Sequence, residues 1–233
     1  MKAHTEISAV STWANRPYSD IPDAPCRDAR FEPGYQFVKR LFDIVVSAIL
    51  IAILFPLFLL LAAGIMVFDR NAFLFKQKRV GKNSNEFLLY KFRTMIPGND
   101  IFSNRTAYTH ANANGKWKKS ETDKRITPFG RLLRKTSLDE LPQLFNVLKG
   151  DMSLVGPRPL PALYLEPYKS FAAVRARVKP GITGLWQIRS RTDTRVEAMM
   201  PHDLEYINSS SFWRDIKILM HTLPAVISRK GAL

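Results

Sequence analysis

Asp139 and Glu140 are adjacent carboxylates in a stretch from Arg134 to Pro161 that also holds a proline-bounded arginine, Pro157-Arg158-Pro159. Consecutive residues on a helix point in different directions, so the two carboxylates need not share one site or one proton. One can meet a substrate while the other holds a metal. An Asp beside Arg134 and a divalent cation stays ionised at neutral pH, since a free Asp titrates near about 3.9 and cations lower that. An ionised carboxylate can attack phosphorus without a separate base, and hard, oxygen-seeking Mg2+ is the cation such a site normally uses. The same four residues, Ser137-Leu138-Asp139-Glu140, also read as a capping box. Ser137 would be the N-cap, Glu140 would reach back from N3, and Asp139 would sit beside the positive end of the helix dipole. The free N–H groups of such a helix start would draw a phosphate.

Other residues suit the same chemistry. Arg158, fixed by Pro157 and Pro159, can grip a pyrophosphate or nucleotide with its bidentate fork, or simply sit in a surface turn. Lys91 and Arg93 fall on one face of an expected strand by the period of two, aimed at an anion or at solvent. Arg189, Arg191 and Arg195 are further candidates for phosphate. His4, His110, His202 and His221 are scattered and Cys26 stands alone, so zinc-ligand spacing and a disulfide framework are both excluded. Gly81-Lys82 and Gly115-Lys116 lack the preceding glycine of a Walker loop, which removes an ATPase reading.

The elements that position these residues follow from pattern. Ile44 to Phe68 is twenty-five residues without a charge, longer than the roughly 20 that cross a bilayer as a helix. A buried helix of a soluble protein seldom stays uncharged for so long. Pro56 at its middle should kink it into halves of about 18 Å each, at ~1.5 Å per residue. Basic residues flank both ends, Lys39-Arg40 before and Arg70, Lys76, Lys78, Arg79 and Lys82 after, which favours a re-entrant hairpin over a straight span by the positive-inside rule. Residues 73–95 read as two strands around a turn at Gly81–Asn85, and 96–123 as a long surface loop. Pro128 to Lys135 reads as a short helix, and a second helix, starting at the Ser137 cap, runs on through Leu141 to Lys149 and stops at Gly150. Residues 161–178 read as one helix, Pro180–Gly184 as a turn and Leu185–Ile188 as a strand. Phe212 to Arg229 is amphipathic, fit either for a membrane interface or for packing on a core.

Composition limits the partner. The net charge is +15. Residues 1–38 carry four Lys/Arg against five Asp/Glu, so the rest of the chain holds about +16 and should meet an anion. Nucleic acid would satisfy the charge but gives the apolar run no role, so no nucleic acid is expected.

The ordered set of Lys39-Arg-Leu-Phe-Asp, Arg79-Val-Gly, Tyr90-Lys-Phe-Arg-Thr-Met, Arg134 to Leu144, Gly150-Asp-Met-Ser-Leu-Val-Gly-Pro-Arg-Pro, Lys179-Pro-Gly-Ile-Thr-Gly-Leu-Trp-Gln and Asp215-Ile-Lys-Ile-Leu resembles the bacterial sugar transferase family, the monotopic polyprenyl-phosphate sugar-1-phosphate transferases. The resemblance implies an α+β architecture. A poorly ordered tail (1–38) precedes a re-entrant membrane helix broken at Pro56 (39–69). A small, mainly helical catalytic domain (70–233) follows, with a short β-hairpin and interfacial amphipathic helices, on the cytoplasmic face of the bacterial inner membrane. It implies transfer of a sugar phosphate from a UDP-sugar to undecaprenyl phosphate with release of UMP through a covalent intermediate, the first membrane step of exopolysaccharide, capsule or O-antigen synthesis. Asp139 would be the nucleophile, Glu140 its partner holding Mg2+, and Arg134, Arg158 and Lys91 contacts to phosphate or nucleotide. Membrane lipids are an expected partner, and a homo-oligomer is compatible. The chain departs from the family pattern at Asp69-Arg-Asn-Ala-Phe73 and at Ser190-Arg-Thr-Asp193. The alternative is a non-catalytic membrane scaffold of a polysaccharide assembly complex, with Asp139 and Glu140 as a helix cap only.

Overall fold

A computed structural model describes residues 33–97, 125–190 and 192–227. Residues 1–32 of the expected tail, 98–123 of the expected loop and Arg191 lie outside the described residues.

The apolar run forms helix α1, Pro33–Gly64, which continues as a π-helical turn, Ile65–Asp69. It begins inside the stretch expected as tail, because Pro33 suits a first helical position. By length and composition it can cross a membrane. Pro56 lies inside α1, and the chain is helical on both sides of it. A proline deletes one backbone bond and crowds one carbonyl, and a long apolar helix tolerates that loss. One stripe, including Phe42, Val46, Leu50, Leu54, Phe58, Leu61 and Ile65, packs on the main core, while Ile49, Ile53, Leu59 and Leu60 stay exposed. Spacing of three and four is what puts the first set on a single face.

Both ends of α1 are tied to the rest of the chain. Near its start, Lys39 pairs with Asp215 at 2.5 Å and donates to the Val155 carbonyl at 3.1 Å. Asp43 accepts from the Leu154 N–H at 3.0 Å and the Ser153 hydroxyl at 3.2 Å. At the other end, Phe58 meets the rings of Phe92 and Phe145, each with centroids 5.7 Å away.

Strands β1, Leu74–Val80, and β2, Glu86–Phe92, form the expected antiparallel hairpin, with Leu74 opposite Phe92 and Val80 opposite Glu86. Helix α2, Pro128–Thr136, carries Pro128 at its first turn, and the Thr127 side chain accepts from the Gly130 N–H. A 3-10 turn, Leu138–Glu140, leads into α3, Gln143–Lys149, which ends at Gly150 in the left-handed region, φ 94°. Arg40 donates to the carbonyls of Val147 and Leu148 at 2.6 and 2.7 Å, a cation on the last turn of α3 where the dipole favours one.

Residues 161–178 are not one helix. They divide into α4, Ala162–Leu165, a 3-10 turn at Glu166–Tyr168, and α5, Lys169–Arg175, because Pro167 lacks an N–H and crowds the residue before it. Two further expectations exchange places. Gly181–Thr183, expected as part of a turn, is strand β4, which pairs in parallel with β3, Ser153–Val155. Leu185–Arg189, where a strand was expected, is helix α6. The glycines that look like turn residues in fact let two backbones touch: a Cβ on Gly181 would lie 2.0 Å from the Gly156 nitrogen. Helices α7, Val196–Ser209, and α8, Phe212–Ile227, complete the chain. On α8, Ile218 is buried and Phe212 packs edge-on against Phe42, whereas Trp213 (78% exposed), Met220 and Leu223 face outward, so the apolar face expected there is shared between core and surface.

Candidate active site

The 3-10 turn at Leu138–Glu140 holds the two carboxylates. A 3-10 turn advances about 120° per residue, which sends Asp139 and Glu140 in different directions. Glu140 is gripped from two sides. Its Oε1 accepts from Lys91 Nζ at 2.9 Å and from Arg158 Nη2 at 2.9 Å. Asp139 is looser, with its Oδ2 4.0 Å from Lys91 Nζ. Lys91 reaches in from the end of β2, Arg158 from the turn after β3, and the carboxylates from between α2 and α3. Arg134 donates from its Nε to the Thr94 hydroxyl at 2.8 Å, and its charge acts on Asp139.

Among the described residues, the charges of Lys91, Arg134 and Arg158 all act on the two carboxylates. That favours an arriving anion. The two acids respond oppositely to the same surroundings. Burial pushes the Asp139 carboxyl up, and the Glu140 charge adds to it, beyond what Lys91, Arg134 and Arg158 take back. Burial also opposes the charge on Glu140, but Arg158 and Lys91 outweigh it and hold its carboxyl well below the usual range. Lys91 is lowered by burial, with Arg158 adding to that and Glu140 opposing it. Glu140 is therefore held as the counter-ion of Lys91 and Arg158, and Asp139 is the more loosely paired of the two.

Ser137 is not an N-cap. It closes α2 in the left-handed region, φ 59°, its N–H donating to the Arg134 carbonyl, and its side chain makes no capping bond to the next turn. The capping-box reading fails because Glu140 turns away to Lys91 and Arg158. Arg93 also leaves the set. It lies just past β2, and its guanidinium serves the carbonyls of Ala72 and Leu74 beside the Phe75 ring, so Lys91 and Arg93 do not share a task. Arg189 and Arg195 pair with Glu205 and Asp193 on the surface instead of facing the carboxylates. Pro157 and Pro159 do bracket Arg158, whose guanidinium also lies 5.8 Å from the centre of the buried Trp186 ring. Trp186 and Thr94 were missed as site neighbours, since only long-range packing brings them there.

Residues 34–229 match the model of a family described as "Bacterial sugar transferase". The chain belongs to the bacterial sugar transferase family. Among similar proteins, "Undecaprenyl-phosphate galactose phosphotransferase" of Salmonella typhimurium is 41% identical over 200 residues, covering 84% of this chain and 42% of that protein. "Exopolysaccharide production protein ExoY" of Rhizobium meliloti is 38% identical over 197 residues, covering 83% of this chain and 87% of that protein. "UDP-glucose:undecaprenyl-phosphate glucose-1-phosphate transferase" of Klebsiella pneumoniae is 37% identical over 211 residues, covering 87% of this chain and 43% of that protein. The chain thus spans about two fifths of the length of the Salmonella and Klebsiella relatives and most of ExoY.

For this family member, a metal can be judged from the donor set. Among the described residues no group of three or more His, Cys, Asp or Glu could hold an ion alone. Two adjacent carboxylates still suit Mg2+, which commonly takes one or two such oxygens and completes its shell with substrate phosphates and water. With three cations already facing the pair, Mg2+ binding would depend on the negative charge a diphosphate brings.

Proposed function

We propose that this bacterial sugar transferase moves a sugar-1-phosphate from a UDP-sugar to undecaprenyl phosphate, releasing UMP, as the first membrane step of exopolysaccharide, capsule or O-antigen synthesis. The observation that carries the reading is the buried Asp139 carboxylate, left without a close ion pair while Glu140 absorbs Lys91 and Arg158. In the first step an Asp139 oxygen attacks the sugar-linked phosphorus of the donor. A carboxyl–phosphate bond forms, the bond from that phosphorus to the bridging oxygen breaks, and UMP leaves with the electron pair. In the second, an oxygen of undecaprenyl phosphate attacks the same phosphorus and frees Asp139, giving a lipid-linked diphosphosugar. Arg158 and Lys91 have donors beyond those spent on Glu140 and can hold phosphate oxygens. Mg2+, which Glu140 and the substrate's phosphates would hold, would supply charge neutralisation for the negative charge that builds on the departing UMP phosphate. The scaffold alternative rested on the two acids serving as a cap, and that cap does not form.

The relatives named above differ in sugar, so the test is a panel. Purified protein with undecaprenyl phosphate and Mg2+ is mixed with several UDP-sugars, and released UMP is measured. UMP from one or more donors, dependent on the lipid phosphate for turnover, is expected; none from any donor would reject the reading. Activity requires ionised Asp139, so it falls as pH drops through that raised pKa. In Glu140→Gln one repelling charge is gone and Lys91 and Arg158 are released toward Asp139. The acid limb of kcat/KM in the residual activity should then move to lower pH. An unmoved limb would mean another group sets it.

The same reading includes a re-entrant α1. A straight span would carry Lys39, Arg40 and Asp43 across the bilayer from the domain, yet all three bond to it, as does the far end of the helix. Supporting residues on both sides of α1 should therefore lie on the cytoplasmic face. In a Cys26→Ser background, Gly34→Cys and Ala72→Cys are expected to react with an impermeant maleimide in inside-out vesicles only. Reaction of Gly34→Cys from the opposite face would establish a span.

A further inference from the structure

Arg158 stands in a turn that cannot hold itself. Pro157 and Pro159 have no N–H, so the turn offers little backbone donation of its own, and its carbonyls must find donors elsewhere. They find three, each from a different element. Pro157 O accepts from the Gly181 N–H of β4 at 2.9 Å, and Pro159 O accepts from Arg79 of β1 at 3.4 Å. The carbonyl of Arg158 itself accepts from Nη2 of Arg175, on α5. Arg175 is buried, its side chain 7% accessible, and its Nε lies 3.0 Å from Oδ2 of Asp203 on α7, also buried. The Phe171 ring lies 5.4 Å away and completes its surroundings.

A desolvated guanidinium–carboxylate pair is expensive to bury, by several kcal/mol per ion before compensation. Hydrophobic residues of similar volume would join α5 to α7 at less expense. What such residues would lack is a donor aimed at the one carbonyl whose own side chain grips Glu140. Resting on the function proposed above, we infer that Arg175, held by Asp203, is a positioning residue for Arg158. Its hydrogen bond fixes the height and tilt of the Pro157-Arg158-Pro159 turn, so that the Arg158 guanidinium meets both Glu140 and the incoming diphosphate. The burial of Asp203 agrees with a pair held for position, since it pushes that carboxyl up to about 6 against the pull of Arg175.

The consequence is measurable as a coupling. A displacement of about 1 Å at a catalytic group can cost on the order of a hundredfold in rate. Arg175→Met should therefore lower kcat for UMP release by about ten- to a hundredfold. Arg175→Lys keeps a donor for the carbonyl and should recover part of that loss. The deciding variant is the double one. If Arg175 acts through Arg158, then Arg175→Met adds little once Arg158→Met has been made, and the two losses fail to multiply. A packing role alone would give multiplied losses, and full activity in Arg175→Met would also overturn the inference. Apparent melting temperatures in the same detergent accompany the rates. Should Arg175→Met fail to fold, the cycle is completed with Arg175→Lys, whose smaller loss must likewise vanish in the Arg158→Met background. Asp139→Asn and Arg158→Met serve as controls on the reaction. Wild-type UMP release in both would reject the proposed function, whereas loss in both with multiplied effects would reject only the role of Arg175.

Discussion

Asp139→Asn is expected to abolish UMP release while leaving the fold in place. The substitution keeps the size of the side chain and removes the nucleophilic charge, and an amide cannot form the acyl phosphate. The loss should be at least about a thousandfold, on the order of 4 kcal/mol of transition-state stabilisation. Stability should change little or improve, because burial already disfavours the ionised form of Asp139. Glu140 keeps both of its cations at 2.9 Å in this variant, so the surrounding frame survives. The measurement is single-turnover UMP release beside a melting curve. Normal turnover with Asn at this position would remove Asp139 from the chemistry, and lost activity with a collapsed melting temperature would assign the residue a structural role.

The second large effect concerns stability. In Gly181→Ala the new Cβ would sit 2.0 Å from the Gly156 nitrogen, 2.5 Å from the Thr183 carbonyl oxygen and 2.6 Å from the Val155 carbonyl carbon. All three are backbone atoms, so no side chain can swing aside. Strands β3 and β4 must part, and the Gly181 N–H loses its 2.9 Å bond to Pro157 O. Overpacking of this kind costs about 3 kcal/mol or more. For a chain of this length that is a fall of roughly 10 °C in apparent melting temperature. Activity should fall further than stability alone would require, because the Arg158 turn hangs from β4. A variant that melts like the wild type would show that the pair of strands has slack that the close approach denies.

What could be read in advance divides by the range of the interaction. The hairpin at 74–92, the start of α2 at Pro128 and the stop of α3 at Gly150 depend on neighbours in sequence, and local chemistry announces them. Ser137-Leu-Asp-Glu shows the limit. The four residues carry a complete local signature for a helix start, but Lys91 and Arg158 compete for Glu140 from 49 and 18 residues away and win. Gly181–Thr183 and Leu185–Arg189 were exchanged for a similar reason: a three-residue parallel strand is defined by its partner, and nothing inside Gly-Ile-Thr states that a partner exists. Within the site, Asp139, Glu140, Lys91, Arg134 and Arg158 were legible from residue type and from resemblance. Arg175 did not stand out within the helix expected over 161–178, because its meaning is a carbonyl on another element.

Lys39, Arg40 and Asp43 at one end of α1 and Phe58, Leu61 and Ile65 at the other make the helix an internal part of the protein. The three apolar residues share a core with Leu133, Leu144 and Val147, which carry the chain into and out of the Leu138–Glu140 turn. Burying them is worth roughly 5 to 9 kcal/mol, as much as the whole stability of many domains. Trimming the chain at residue 70 would therefore yield no soluble catalytic fragment, since the cut opens the core directly behind Asp139. On the proposed membrane-bound reading, lipid or detergent on the exposed side of α1 would then be a condition for the candidate site to exist, and protein shed from the bilayer would be silent.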